Sequence, residues 1–182
     1  MIDIPKPKLT LLQQEILRFL LVRAGKSFNA LGLAKPLGVS QTAIAKALPL
    51  LKEGDLVKVD KDKESGRWII ELNRDNRKVL QMKRVENLKM IYEIGLVDFL
   101  EKEFAGGTII LFGSYSRGED VVGSDVDIAV VGRKEKNVHL DEFEKKLERE
   151  IFINFYSSFK DIHKNLRENI FNGIVLIGGI GL

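Results

Sequence analysis

Two short stretches carry residue types and spacings suited to phosphate chemistry. The first is Phe112-Gly113-Ser114-Tyr115-Ser116-Arg117-Gly118-Glu119, and the second is Ser124-Asp125-Val126-Asp127. A Gly-Ser pair directly after an apolar run reads as a strand end feeding a helix. Glycine lets a ligand approach the backbone closely. The N–H groups of a first helical turn have no acceptor within the helix, so such a bend offers an anion site suited to a triphosphate. Asp125 and Asp127 are two apart in a strand pattern, so both carboxylates face the same side. Side by side they repel, and they gain by holding a divalent cation, Mg²⁺ or Mn²⁺, between them and the phosphates. These are the parts of a metal-assisted nucleotidyl transfer from a nucleoside triphosphate, with Asp125 and Asp127 as catalytic and metal residues.

Strands and helices must position these groups. Thr108–Phe112 reads as a fully buried strand from its continuous apolar run. Gly113-Ser114 then turns into a short helix, and residues 125–131 form a second strand. Residues 140–149 read as an amphipathic helix, 151–156 as a third strand, 159–168 as a last helix, and 173–177 as a final strand or extended tail. Upstream, residues 74–104 are helical almost throughout, with Gly95 as the break.

The first 73 residues have a different pattern. A helix spans 9–23, with Leu12, Ile16, Phe19 and Leu20 on one face. A second runs from about Phe28 to Leu37, capped by Ser27. After the turn Gly38-Val39-Ser40, a third begins at Gln41 with Ser40 as N-cap. It points Ile44, Leu48 and Leu51 inward, ends near Gly54, and is kinked or split by Pro49. Strands at 55–60 and 67–72 flank a polar tip at 61–66. Three helices followed by a hairpin is the order of a winged helix-turn-helix domain. The expected fold is therefore α+β in two domains: a winged helix over 1–73, a helical linker over 74–95, and a small nucleotidyltransferase-like α/β domain with a mixed sheet over 96–182.

Composition sets the outer bounds. The chain has 182 residues and no cysteine, which excludes disulfides, thiolate metal sites and cysteine catalysis. No apolar run is long enough for a membrane span, and the opening residues lack the apolar core of a signal peptide, so a cytoplasmic location is expected. Residues 1–73 hold 12 Lys/Arg against 8 Asp/Glu, a net of +4, which leaves −1 on the rest of a +3 chain. A basic first half suits a phosphate-backbone binder; a solvated Lys/Glu surface is the plainer reading. His139 and His163 are isolated and read as surface residues. Trp68 and Phe28 read as core.

The Gly-Ser pair, ten intervening residues and Asp-x-Asp resemble the minimal nucleotidyltransferases of the DNA polymerase β superfamily, over about residues 96–178. The resemblance implies that Gly113 and Ser114 contact nucleotide phosphates and that Asp125 and Asp127 bind metal. Arg117 either supports the phosphates or forms a salt bridge with Glu119. Active relatives carry a third carboxylate on a neighbouring strand. Here Phe152 or Asn154 takes that place, depending on register, and neither is acidic. Glu148, Glu150 and Asp161 are the possible substitutes. The resemblance also implies a protein partner, such as a small helical HEPN-type toxin beside which such domains act as antitoxins.

By a second resemblance, to winged-helix regulators, the third helix would enter the DNA major groove. Gln41, Thr42, Ala45 and Lys46 lie at its exposed N-terminal end, where Gln suits adenine and Lys suits guanine or phosphate. Lys61, Lys63 and Arg67 on the hairpin would touch backbone or minor groove, against the acidic neighbours Asp60, Asp62 and Glu64. The apolar surplus of residues 74–94 predicts a homodimer through the linker.

Overall fold

Helix caps set the element boundaries in the first part of the chain. In the computed structural model, which describes residues 8–64 and 66–181, Thr10 and Gln13 form a reciprocal capping box that starts α1 (Leu11–Val22). Asn29 starts α2 (Ala30–Leu37), its side-chain oxygen accepting from the Gly32 amide at 2.8 Å. The helix predicted to begin at Phe28 under a Ser27 cap thus begins two residues later. Phe28 is extended instead, exchanging two 2.8 Å backbone hydrogen bonds with Ile70. The Ser40 hydroxyl accepts from Ala43 at 3.1 Å and starts α3 (Gln41–Glu53), as expected. Pro49 does not split α3, which runs on to Glu53.

β1 (Val57–Lys61) pairs antiparallel with β2 (Trp68–Leu72), from Val57 opposite Leu72 to Lys61 opposite Trp68. Ile16, Leu20, Leu33, Ile44, Leu51 and Ile70 are fully buried and join the three helices to the hairpin. Each such side chain contributes about 1.5–3 kcal/mol by leaving water. The result is a winged helix. Trp68 is not core, being 39% exposed. Residues 1–7, Ser65 and Leu182 lie outside the described residues.

The chain divides into two compact units between Val79 and Leu80, inside α4 (Arg77–Glu93). Gly95, in the left-handed region at φ 79°, separates α4 from α5 (Leu96–Glu103). The second unit continues with β3 (Thr108–Phe112), α6 (Gly113–Arg117), β4 (Val126–Val131), α7 (Asp141–Leu147), β5 (Ile151–Tyr156), α8 (Lys164–Phe171) and β6 (Ile174–Ile177). Its sheet has the order β5-β4-β3-β6. β4 and β5 are parallel and the other pairs antiparallel, so the sheet is mixed.

The helix predicted over 159–168 is interrupted. A 3-10 turn covers Phe159–Asp161, Ile162 is extended and buried, and His163 then caps α8. Burying Ile162 beside Ile110 and Ile170 prevails over helical continuity. Leu96, Leu100, Leu111, Ile128 and Val130 belong to one core cluster. Ile110, Phe112, Ala129 and Val131 belong to another, so successive strand residues serve opposite sheet faces. No helix among the described residues is long and apolar enough to cross a membrane.

One buried feature is polar. On α4, Lys83, Asn87 and Ile91 recur every fourth residue on the covered stripe, all under 4% exposed. The Lys83 ammonium lies 3.0 Å from Asp120, and the Arg149 guanidinium lies 3.2 Å from the same carboxylate oxygen. Asn87 donates to the other oxygen of Asp120 at 2.7 Å and to the Tyr115 carbonyl at 2.8 Å. This network ties α4 to α6, to the loop before β4 and to the start of β5. Removing one member of a buried ion cluster strands the remaining charge. Asp120→Ala is therefore expected to destabilise the second unit by roughly 3–5 kcal/mol in urea unfolding. Lys89→Gln, which breaks the exposed Lys89–Glu93 pair, should change little. Equal effects from the two substitutions would contradict this account.

Candidate functional site

Sheet register brings the two sequence motifs together. Phe112, the last residue of β3, pairs with Asp127 on β4. The next residue, Gly113, has φ 74°, which an L side chain rarely adopts. A Cβ there would overlap the Asp127 carboxylate oxygen and lie 3.1 Å from its carbon. Glycine is therefore required twice, by the backbone angle and by the carboxylate against it. Gly118 closes α6 for similar reasons: φ is 74°, and a Cβ would collide with the Leu80 carbonyl and sit 2.6 Å from the Arg84 amide of α4.

α6 is only five residues long, so the bend has little helix dipole behind it. What remains is a set of first-turn amides with no acceptor inside the helix. The far side of the bend is fixed. Ser116 donates to the Gly113 carbonyl at 2.9 Å, and the Glu119 amide donates to the Ser114 carbonyl at 3.0 Å. Tyr115 is buried in the core, and that burial pushes its phenol above the usual tyrosine range, so it stays protonated.

The two aspartates are not equivalent. Asp125 is exposed and lies one residue ahead of β4, not within it, whereas Asp127 is half-buried on the strand. Burial, and then the negative charge of Asp125, hold the Asp127 carboxyl above the usual carboxylate range; Arg117 opposes them. Asp127, Asp125 and Arg117 therefore act on one another electrostatically beside Gly113. Of the two readings of Arg117, the salt bridge forms: its Nε donates to Glu119 at 2.7 Å.

The register also decides the third position. β5 lies parallel to β4 with Phe152 opposite Asp127, while Asn154 is opposite Ala129. An apolar ring, 48% exposed, thus stands where a carboxylate would complete a triad. Of the possible substitutes, Glu148 and Glu150 line an open cleft of about 560 Å³ that also contains Asp125. Asp161 accepts from Ser158 at 2.9 Å, next to the C-terminal end of β5, away from the bend. No group of three or more metal-binding side chains converges among the described residues.

Asp120, Lys83, Asn87 and Arg149 were absent from the sequence-derived site. They hold the segment between the motifs, and only the four-residue spacing of Lys83, Asn87 and Ile91 in an otherwise apolar stripe hints at them.

In the first unit, Gln41, Thr42, Ala45 and Lys46 are all exposed on the opening turns of α3. Lys61, Lys63 and Arg67 are exposed on the hairpin. His139 and His163 are exposed, and His163 Nδ1 accepts from the Asn165 amide at 3.4 Å as the α8 cap.

Among solved structures, the chain is similar to the adhesin competence repressor AdcR of Streptococcus pyogenes, at 24% identity over 54% of this chain and 69% of that one, TM-score 0.41. It is also similar to ZitR of Lactococcus lactis, at 21% identity over 57% and 68%, TM-score 0.41. A third is the transcriptional regulator BldR of Sulfolobus solfataricus, at 23% identity over 52% and 73%, TM-score 0.37. No curated protein sequence matches the chain significantly. Residues 94–177 match the nucleotidyltransferase domain family. They contain the Gly-Ser bend, both aspartates and all four strands of the mixed sheet. Over residues 94–177 the second unit of this chain is thus similar to the nucleotidyltransferase domain family.

Proposed function

We propose that the second unit binds a Mg²⁺-nucleoside triphosphate between the Gly113-Ser114 bend and Asp125/Asp127. It would transfer the nucleoside monophosphate slowly to a hydroxyl of a protein or small molecule, while the first unit binds DNA. The observation that carries the reading is the Asp127 carboxylate lying against Gly113. The residues fit a hard cation. Burial and Asp125 both disfavour ionised Asp127, which is the penalty a cation relieves, and oxygen-only donors suit Mg²⁺ or Mn²⁺. They fit one such ion, because Phe152 closes the third-carboxylate position.

Mg²⁺ bound with the nucleotide supplies neutralisation of phosphate charge. The protein's own part is positional. Gly113 leaves room for the phosphates, and the first-turn amides from Ser114 onward donate to their oxygens. Arg117 keeps positive charge beside Asp127. In the transfer, the acceptor oxygen bonds to the α-phosphorus, the bond to the bridging oxygen breaks, and pyrophosphate leaves. The hydroxyl proton passes to solvent, since Phe152 offers no base.

Phe152 also favours a second reading, a nucleotide-binding regulator or antitoxin with little transfer activity. On either reading, DNA contacts come from Gln41, Thr42, Ala45, Lys46, Lys61, Lys63 and Arg67. A homodimer would form through α4, whose Val85 and Tyr92 are exposed. A HEPN-type toxin is the protein partner this second reading offers.

Three outcomes test these statements. With α-labelled ATP and Mg²⁺, label transfer should be slow in the wild type and lost in Asp125→Asn. It should rise on the order of 10²-fold in Phe152→Asp, which restores a carboxylate able to take the proton. Nucleotide binding without transfer in both the wild type and Phe152→Asp selects the regulator; no nucleotide binding in either rejects both readings.

Asp127→Asn is expected to stabilise the ligand-free protein at pH 7. A carboxyl held above its ordinary 3.8 resists ionising in the folded state, so its penalty grows as pH rises through that value and is absent below it. The gain in melting temperature should vanish toward pH 3, and Mg²⁺-nucleotide should raise the melting temperature of the wild type only. A variant no more stable than the wild type at pH 7 would contradict the electrostatic account. Finally, if α3 meets DNA phosphate through Lys46, Lys46→Ala should lower the log–log salt slope of DNA binding by about one in gel shifts. An unchanged slope would remove Lys46 from the interface.

A further inference from the structure

The sheet of the second unit has a second chemically distinctive end. β4 runs away from Asp127, and the C-terminal ends of parallel β4 and β5 open into a cleft of about 680 Å³. Crevices outside the carboxyl ends of parallel strands commonly receive ligands. Gly132 forms part of its wall with open space beside its backbone, while the Arg133 guanidinium lies against Gly106. Ser157 and Ser158 add polar groups as the chain leaves β5.

Two cations line this cleft, Lys160 and Arg167. Neither pairs with a carboxylate among the described residues. Arg167 donates only to backbone carbonyls, those of Lys160 at 3.2 Å and Ile162 at 3.3 Å, both through one terminal nitrogen. The other face of its guanidinium fork keeps donors to spare, the arrangement that suits a phosphate. Asp161, the acid next to Lys160 in sequence, accepts from Ser158 at 2.9 Å. Phe159 and Phe171 complete the lining, their rings edge-on at 5.9 Å. Phe171 is 36% exposed, leaving an aromatic surface beside the cations.

Cations without counter-ions, open backbone at Gly132 and an aromatic pair whose Phe171 ring is exposed while Phe159 packs on the core together suit a phosphate joined to a ring. We propose that this cleft binds a nucleotide, its phosphate on Lys160 and Arg167 and its base against Phe159 and Phe171. The site is separate from the aspartate pair. Asp127 and Val131 are four residues apart on β4, about 13 Å at strand rise, with Val131 at the cleft. It needs no metal, because protein cations balance the phosphate. It therefore does not depend on the reading given to Asp125 and Asp127.

The test is calorimetric titration of the full chain with AMP in EDTA, which keeps the aspartate site free of metal. Binding is expected in the wild type and in Asp127→Asn. It should be weakened about tenfold or more in Lys160→Glu and in Arg167→Gln, as for loss of one charged hydrogen bond. Arg167→Gln also removes two backbone contacts, so Lys160→Glu, whose side chain makes none, is the decisive variant if Arg167→Gln fails to fold. Adenosine and inorganic phosphate should each bind more weakly than AMP. No AMP binding, binding that survives Lys160→Glu, or binding lost in Asp127→Asn would overturn the proposal. Inorganic phosphate binding as tightly as AMP would overturn the nucleotide assignment.

Discussion

The second unit is organised around a carboxylate that has no access to water. Asp120 receives Lys83 from α4 and Arg149 from the entry to β5, while Asn87 bonds both Asp120 and the Tyr115 carbonyl of α6. Charges this deeply buried are stable only when paired, so the segments carrying them cannot drift apart independently. α6 begins at the Gly-Ser bend, the Asp120 loop leads into Asp125, and Arg149 lies two residues before β5. One buried anion therefore fixes the distance between the Gly113 bend and the acidic strand. Gly118 adds a steric counterpart, letting the end of α6 approach the α4 backbone more closely than any side chain would permit.

Within that frame the site is assembled at an energetic cost. Asp127 stays against Gly113 despite burial and the neighbouring charge of Asp125, both of which oppose its ionisation. Such stored repulsion is usual where a fold prepares a place for a cation. Phe152 limits what the place can do. On the proposed reading, a side chain without charge or acceptor opposite Asp127 leaves a cation able to bind and offers no group to take a proton.

Much of this was legible in the sequence. The continuous apolar run of β3, the Ser40 cap and the turn at Gly38 each reflect a local rule, and their elements fall where those rules put them. The Gly-Ser and Asp-x-Asp spacing anticipated that the bend and Asp127 would lie together, because a hairpin-like return from β3 to β4 brings those ends side by side. What was not legible depends on partners distant in the chain. Phe152 and Asn154 share a face by strand periodicity, so only pairing with β4 could choose between them. Lys83 and Asn87 look like solvent-facing residues until Asp120, more than thirty residues on, supplies their counter-charge. Phe28 was taken for helix because its extended conformation depends on Ile70. Asp125 stopped short of the strand for a similar reason, since β4 begins only where β5 is available to pair.

The central claim is that the Gly113 bend and the Asp125/Asp127 pair form one cation–phosphate pocket. Paramagnetic broadening of backbone amide signals by substoichiometric Mn²⁺, with and without a nucleoside triphosphate, tests it most directly. The account predicts broadening centred on Gly113, Ser114, Asp125 and Asp127, tightened by the nucleotide and absent in Asp127→Asn. Broadening centred instead on Glu144 and Glu148, or no localised broadening, would contradict it.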